Sequence, residues 1–206
     1  MNYKEIDLNT YKRKEHFKHY TTKCPCTYST VVNLDITNLK NFKLYPTLLY
    51  LLTKTINNID EFKTTSINDK LVIFDKMNPA YTIFNKESET FSSIYTLYND
   101  DYRVFLENYH QDLKKYLNTT SFEPKKDRPL NTFDVSMIPW FTFTSFNINI
   151  YNDGKYLLPI FTFGKFFENN NQRFIPLAIQ VHHAVCDGYH VGKFINTLQE
   201  LINHFK

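Results

Sequence analysis

The run Phe174-Ile175-Pro176-Leu177-Ala178-Ile179-Gln180-Val181 is apolar and β-prone, and it stops at His182-His183, followed by Ala184, Val185, Cys186, Asp187 and Gly188. A short apolar run that meets turn residues predicts a buried strand, and Asp187-Gly188 predicts the turn. From Val191 onward, Val191, Phe194, Ile195, Leu198, Leu201 and Phe205 recur at helical spacing, so an amphipathic helix follows. The polar residues are thereby confined to the end of a core strand. Side chains alternate along a strand, so His182 and His183 point in opposite directions and only one can face a given cleft.

A chain of 206 residues fits one domain spanning 1–206. Folding at this size buries roughly 70–75% of the surface of the unfolded chain. With 19 Phe and 15 Tyr, the chain has apolar surface for a core and for a pocket or subunit interface besides. The formal charge of +3 is dispersed, with no basic block, which argues against nucleic acid as a partner. Cys24-Pro25-Cys26 is too cramped for a routine disulfide, and three cysteines fit reduced thiols in a cytoplasmic protein. The charged start Met1–Asp7 lacks the apolar run of a signal peptide, and no stretch reaches membrane-spanning length, so no membrane association is expected.

Asn9-Thr10 precedes a short helix over Tyr11–Phe17, and Cys26–Ile36 alternates as a strand. Pro46 opens a helix through Ile56. Asn68-Asp69-Lys70 joins Ser66-Ile67 to Leu71–Phe74 as a hairpin, and strands are expected at Tyr81–Asn85 and Thr90–Ile94. Asp100-Asp101 caps a long helix with Phe105, Tyr109, Leu113 and Tyr116 on one stripe, and polar Ser121–Arg128 is a loop. Alternation over Trp140–Tyr151 and Ile160–Phe167 predicts further strands before Phe174–Val181. The fold class is α+β: a two-layer sandwich whose mostly antiparallel or mixed sheet is covered by helices.

The imidazoles at 182, 183 and 190, with Cys186 and Asp187, invite a metal, but adjacent histidines on opposite strand faces are poor co-ligands and no second cluster completes a set. No Gly-x-Ser-x-Gly elbow and no phosphate-cradling glycine loop occur. A histidine general base remains, since a neutral imidazole suits proton removal from an alcohol near neutral pH. Asp187 alone reads equally well as a helix N-cap.

The seven residues His182–Gly188 resemble the active-site signature of the chloramphenicol O-acetyltransferases, part of a wider group of CoA-dependent acyltransferases sharing His-x-x-x-Asp-Gly. The resemblance continues in order through Arg13–Phe17, Tyr45-Pro46, Glu89–Ser92, Pro139–Phe141 and Thr144–Asn147. It implies transfer of the acetyl group of acetyl-CoA to the 3-hydroxyl of chloramphenicol by direct attack. Acetyl-CoA would be a co-substrate, with no permanently bound cofactor, and the assembly a homotrimer with its sites at subunit interfaces.

The resemblance also assigns roles. His183 corresponds to the base, its tautomer held by its own main-chain carbonyl, and Ser136 to the oxyanion donor. Asp187 and Arg13 match a site-organising ion pair, and His182 is structural. The chloramphenicol pocket would draw on His19, Tyr20, Cys24, Cys26, Tyr28, Phe91, Phe122, Ile148, Ile150, Ile160 and Thr162. The coenzyme would meet Lys43, Tyr45 and Lys165. Asp134, Phe166 and Thr27 depart from the common family residues, which bears on acceptor fit and coenzyme affinity. Two other readings stay open: an acyltransferase for a different hydroxyl or thiol acceptor, and a non-catalytic protein that binds drug or coenzyme.

Overall fold

The structure is a computed structural model that describes residues 2–150, 152 and 154–206. Strand β1 (Tyr3–Glu5) leads to α1 (Lys14–Lys18), which widens into a π-helical turn (His19–Lys23), and then to β2 (Thr27–Asp35) and α2 (Leu44–Asn57). Next come β3 (Thr64–Ile67), β4 (Lys70–Phe74), β5 (Asn78–Asn85), β6 (Thr90–Tyr95) and α3 (Tyr102–Tyr116). The chain closes with β7 (Thr132–Met137), β8 (Ile160–Phe163), β9 (Phe167–Asn169), β10 (Gln172–His182) and α4 (Gly188–Asn203).

The larger sheet runs β2-β10-β8-β7-β5-β6, with β9 paired to β10, and a small sheet runs β1-β4-β3. The larger sheet is mixed: β7 lies parallel to β5 and β8, and the remaining pairings are antiparallel. Helices flank it, as an α+β sandwich requires. No helix among the described residues is long and apolar enough to cross a membrane.

Local chemistry accounts for the elements. Asn68 and Asp69 take φ of 50° and 62°, the left-handed pair that a two-residue hairpin between β3 and β4 demands. Asp101 caps α3 by accepting the Arg103 N–H at 2.8 Å. Pro46 falls in the first turn of α2, where its missing N–H costs nothing. Pro176 sits in β10 where pairing to β9 has ended and pairing to β8 has not begun, so no ladder bond is lost. Gly164 makes room beside it: a Cβ there would meet Pro176 Cγ at 2.7 Å and Phe143 Cε1 at 2.8 Å.

Three expectations are corrected. Residues 140–150 alternate as a strand would but join no ladder, and Tyr151 lies outside the described residues. Alternation supplies a face without supplying a partner, and β7 and β8 already carry a neighbour on each side. The segment is instead tied to the chain just after β8, the Lys165 N–H donating to the Phe141 carbonyl at 2.9 Å. The expected strand through Phe167 also breaks after Phe163, and Phe205 lies past the end of α4.

The core forms between sheet and helices. Phe194 of α4 stacks on Phe62 at 4.7 Å and on Phe161 of β8 at 5.3 Å, and all three rings are fully buried. This pins α4 against β8 and Phe62 while the sheet holds β10, so the turn joining β10 to α4, residues 183–187, is held at both ends.

Candidate active site

Main-chain bonds fix the turn. The carbonyl of His182 accepts the N–H groups of Val185 at 3.1 Å and Cys186 at 3.0 Å, and the His183 N–H donates to the Cys26 carbonyl at 2.9 Å. The Ala184 N–H donates to His182 Nδ1 at 3.1 Å. Asp187 is the N-cap of α4 in a capping box, its own N–H donating to His190 Nδ1 at 2.9 Å.

His182 and His183 diverge as strand alternation requires. His182 is 1% exposed. The side chain of His183 is 31% exposed, with Tyr20 stacked on it at 4.2 Å and 10° and the ring of Tyr28 edge-on at 5.2 Å. The π-helical turn supplies Tyr20, and strand β2 supplies Tyr28. Among the described residues no hydrogen bond engages His183 Nε2.

Asp187 thus serves as cap and ion-pair partner together. Arg13 donates to Asp187 Oδ2, to Oδ1 at 2.8 Å and to the main-chain carbonyl of His183 at 3.2 Å. That last bond occupies the carbonyl expected to hold the His183 tautomer. His183 Nδ1 instead lies 3.1 Å from Asp187 Oδ1, outside hydrogen-bond geometry, and makes no hydrogen bond. The hydrogen bond from Arg13 holds the Asp187 carboxyl below the usual carboxylate range, and the same bond raises the guanidinium. Burial lowers the His182 imidazole and pushes the Cys186 thiol up to about 12.

Ser136 stands elsewhere. It lies on β7 opposite Thr162 of β8, and both line an apolar cavity of about 540 Å³ with Tyr45, Phe91 and Ile148. His183 does not line this cavity. The Tyr45 hydroxyl is buried there without a hydrogen-bond partner, Thr82 approaching it outside bonding geometry, and burial raises the phenol. Sequence reasoning missed Trp140, Thr82, Tyr109 and Phe146 in the lining, and the helix entry of His190 into the capping box. The one tryptophan of the chain, 59% exposed with its ring edge-on to Phe84 at 5.0 Å, was the available signal.

The other expected residues disperse. His19 and Tyr20 line a shallow opening along α1 with Lys18 and Lys23. Cys24 is exposed, Cys26 half-buried, and both are free thiols, as is buried Cys186. Phe122 packs on Phe91 at 5.8 Å without lining the cavity. Ile150 borders a small cavity beside His182, and Ile160 is buried in the sheet. Lys43 and Lys165 are exposed.

The departures from the family pattern each have a local partner. Asp134 accepts from Arg128 at 2.7 Å and from the Tyr156 hydroxyl at 2.8 Å. Arg173 lies over the Phe166 ring at 4.6 Å, and Thr27 pairs with His182 at the start of β2.

The fold superposes on a solved chloramphenicol acetyltransferase with a TM-score of 0.88 at 18% identity, over 98% of this chain and 100% of that one. It superposes on the dihydrolipoamide acetyltransferase of Azotobacter vinelandii with a TM-score of 0.67 at 12% identity, over 87% and 82%. The catalytic mechanism of that enzyme has been studied through a serine, a histidine and an asparagine four residues beyond the histidine. The fold is therefore one shared with these two acetyltransferases. At the level of sequence, residues 1–199 match the chloramphenicol acetyltransferase family. The chloramphenicol acetyltransferase of Clostridium butyricum is 50% identical, the alignment covering 100% of this chain and 97% of the relative. This chain belongs to the chloramphenicol acetyltransferase family.

Proposed function

We propose that this protein transfers the acetyl group of acetyl-CoA to the 3-hydroxyl of chloramphenicol, with His183 as general base. His183 Nε2 takes the hydroxyl proton while the oxygen attacks the thioester carbonyl carbon. The resulting oxyanion accepts a hydrogen bond from Ser136, and such a donor contributes about 10²–10³ in rate. Collapse breaks the carbon–sulfur bond, and the departing thiolate takes the proton back from the imidazolium. A thiol is acidic enough to leave readily. No acetyl group is carried on the protein.

Two half-sites on one chain carry the reading of mechanism. The half-buried ring of His183 is stacked on Tyr20 and its main-chain carbonyl accepts from Arg13, while Ser136 lines a cavity to which His183 does not contribute. A homotrimer in which His183 of one subunit faces the Ser136 cavity of the next joins the halves. Phe84, Phe91, Trp140 and Phe141 are exposed on this chain, the first three bordering the cavity, which supports an interface there. The serine, histidine and four-residue spacing named for the Azotobacter enzyme parallel Ser136, His183 and Asp187.

Phe91, Ile148 and Thr162 then wall the acceptor, joined by Tyr20 and Tyr28 from the histidine side. Lys43 and Lys165, both exposed, would meet the coenzyme phosphates. The working compartment is the cytoplasm, where CoA thioesters are supplied. The test is thiol release from acetyl-CoA: chloramphenicol triggers it and its 3-O-acetyl form does not. A rate indifferent to chloramphenicol would leave a different acceptor.

A further inference from the structure

We propose that His182 is a positioning residue for the acetyl transfer: held as its Nε2–H tautomer, it fixes the turn that aims His183. The inference rests on the proposed role of His183. The main-chain carbonyl of His182 anchors the turn by accepting the N–H groups of Val185 and Cys186, and its side chain supplies a further anchor, Nδ1 accepting the Ala184 N–H at 3.1 Å. That bond flanks the main chain of His183 directly. An N–H donor at Nδ1 requires the ring proton to sit on Nε2.

Nε2 is buried and has no hydrogen-bond partner among the described residues. His182 borders a cavity of about 20 Å³ shared with Thr27, Asn152, Tyr156 and Gln180. That volume is large enough for one water molecule among polar groups, which would be the acceptor this tautomer calls for. The Gly154 backbone lies close enough to favour the protonated ring, while burial opposes it more strongly. Gly154 is itself wedged on Pro25, where a Cβ would meet Pro25 Cβ at 2.4 Å. His182 thus lies between the segment around residue 154 and the turn that bears the base.

Asparagine and glutamine separate the two ring nitrogens, since the Asn oxygen can replace Nδ1 while the Gln amide reaches only toward Nε2. His182→Gln should lower kcat by about 10–100-fold, the scale of a slightly misplaced catalytic group, with KM for both substrates within about twofold. His182→Asn should recover about tenfold of that loss. In the wild-type protein, ¹⁵N NMR should show the His182 proton on Nε2. Equal kcat in the two folded variants, or a proton on Nδ1, overturns the inference. Where His182→Gln fails to fold, the tautomer decides alone. His183→Ala is the control: an active His183→Ala variant defeats the proposed base, whereas an inactive one alongside equal His182 variants defeats only this inference.

Discussion

Arg13 and Asp187, 174 residues apart in sequence, form a forked ion pair in which both carboxylate oxygens accept from one guanidinium. Arg13 belongs to the N-terminal segment and Asp187 to the start of α4, so the pair ties the two ends of the chain together behind His183. Its side chains are 13% and 30% exposed, between a surface pair and a buried one.

Arg13→Ala should therefore cost about 1–3 kcal/mol, more than a surface pair and less than a fully buried one. Urea denaturation measures it as a lower midpoint with an unchanged slope. Turnover should fall as well, because the bond to the His183 carbonyl goes with the side chain. An unchanged midpoint would mean that the pair contributes nothing to folding.

Ser136→Ala should behave in the opposite way. No described hydrogen bond engages the serine hydroxyl, so thermal stability should stay within about a degree while kcat falls about 10²–10³-fold. Steady-state kinetics beside a melting curve separates the two effects.

Acid should destabilise the protein in two stages. Burial lowers the folded pKa of His182 from an ordinary value of 6.5. Above that value the ring is neutral in both states and has no effect. As pH falls through it, the unfolded chain takes up the proton first and stability declines. Asp187 acts lower: its folded pKa is depressed below 3.8, so its contribution is whole above that value and is lost as pH falls through the folded one. Urea midpoints across the range from about pH 8 to about pH 2 should decline below about pH 6.5 and again below about pH 3.8, and His182→Asn should remove the first stage.

What the sequence makes legible is whatever depends on near neighbours. The β3–β4 hairpin follows from Asn68-Asp69, α3 from Asp101 and a helical stripe, and the opposed histidines from strand alternation. Residues 140–150 show the limit, because alternation cannot say whether an open strand edge waits for it. The cavity is harder still: Tyr45, Thr82, Tyr109 and Trp140 reach it from α2, β5, α3 and the segment after β7, and no local pattern joins them. The bond from Arg13 to the His183 carbonyl depends likewise on a side-chain reach that spacing does not encode.

If each site is shared between subunits, two defective chains should repair one another. Co-expressed His183→Ala and Ser136→Ala chains, each severely impaired alone, should assemble at random into a population with about a quarter of wild-type turnover. Sites contained within one subunit would yield no recovery.

The central claim is that His183 is the base, and its removal tests that most directly. For His183→Ala, chloramphenicol-dependent release of coenzyme A should fall about 10²–10⁴-fold or more, while equilibrium binding of chloramphenicol persists. A folded His183→Ala protein that acetylates chloramphenicol at close to the wild-type rate would contradict the account.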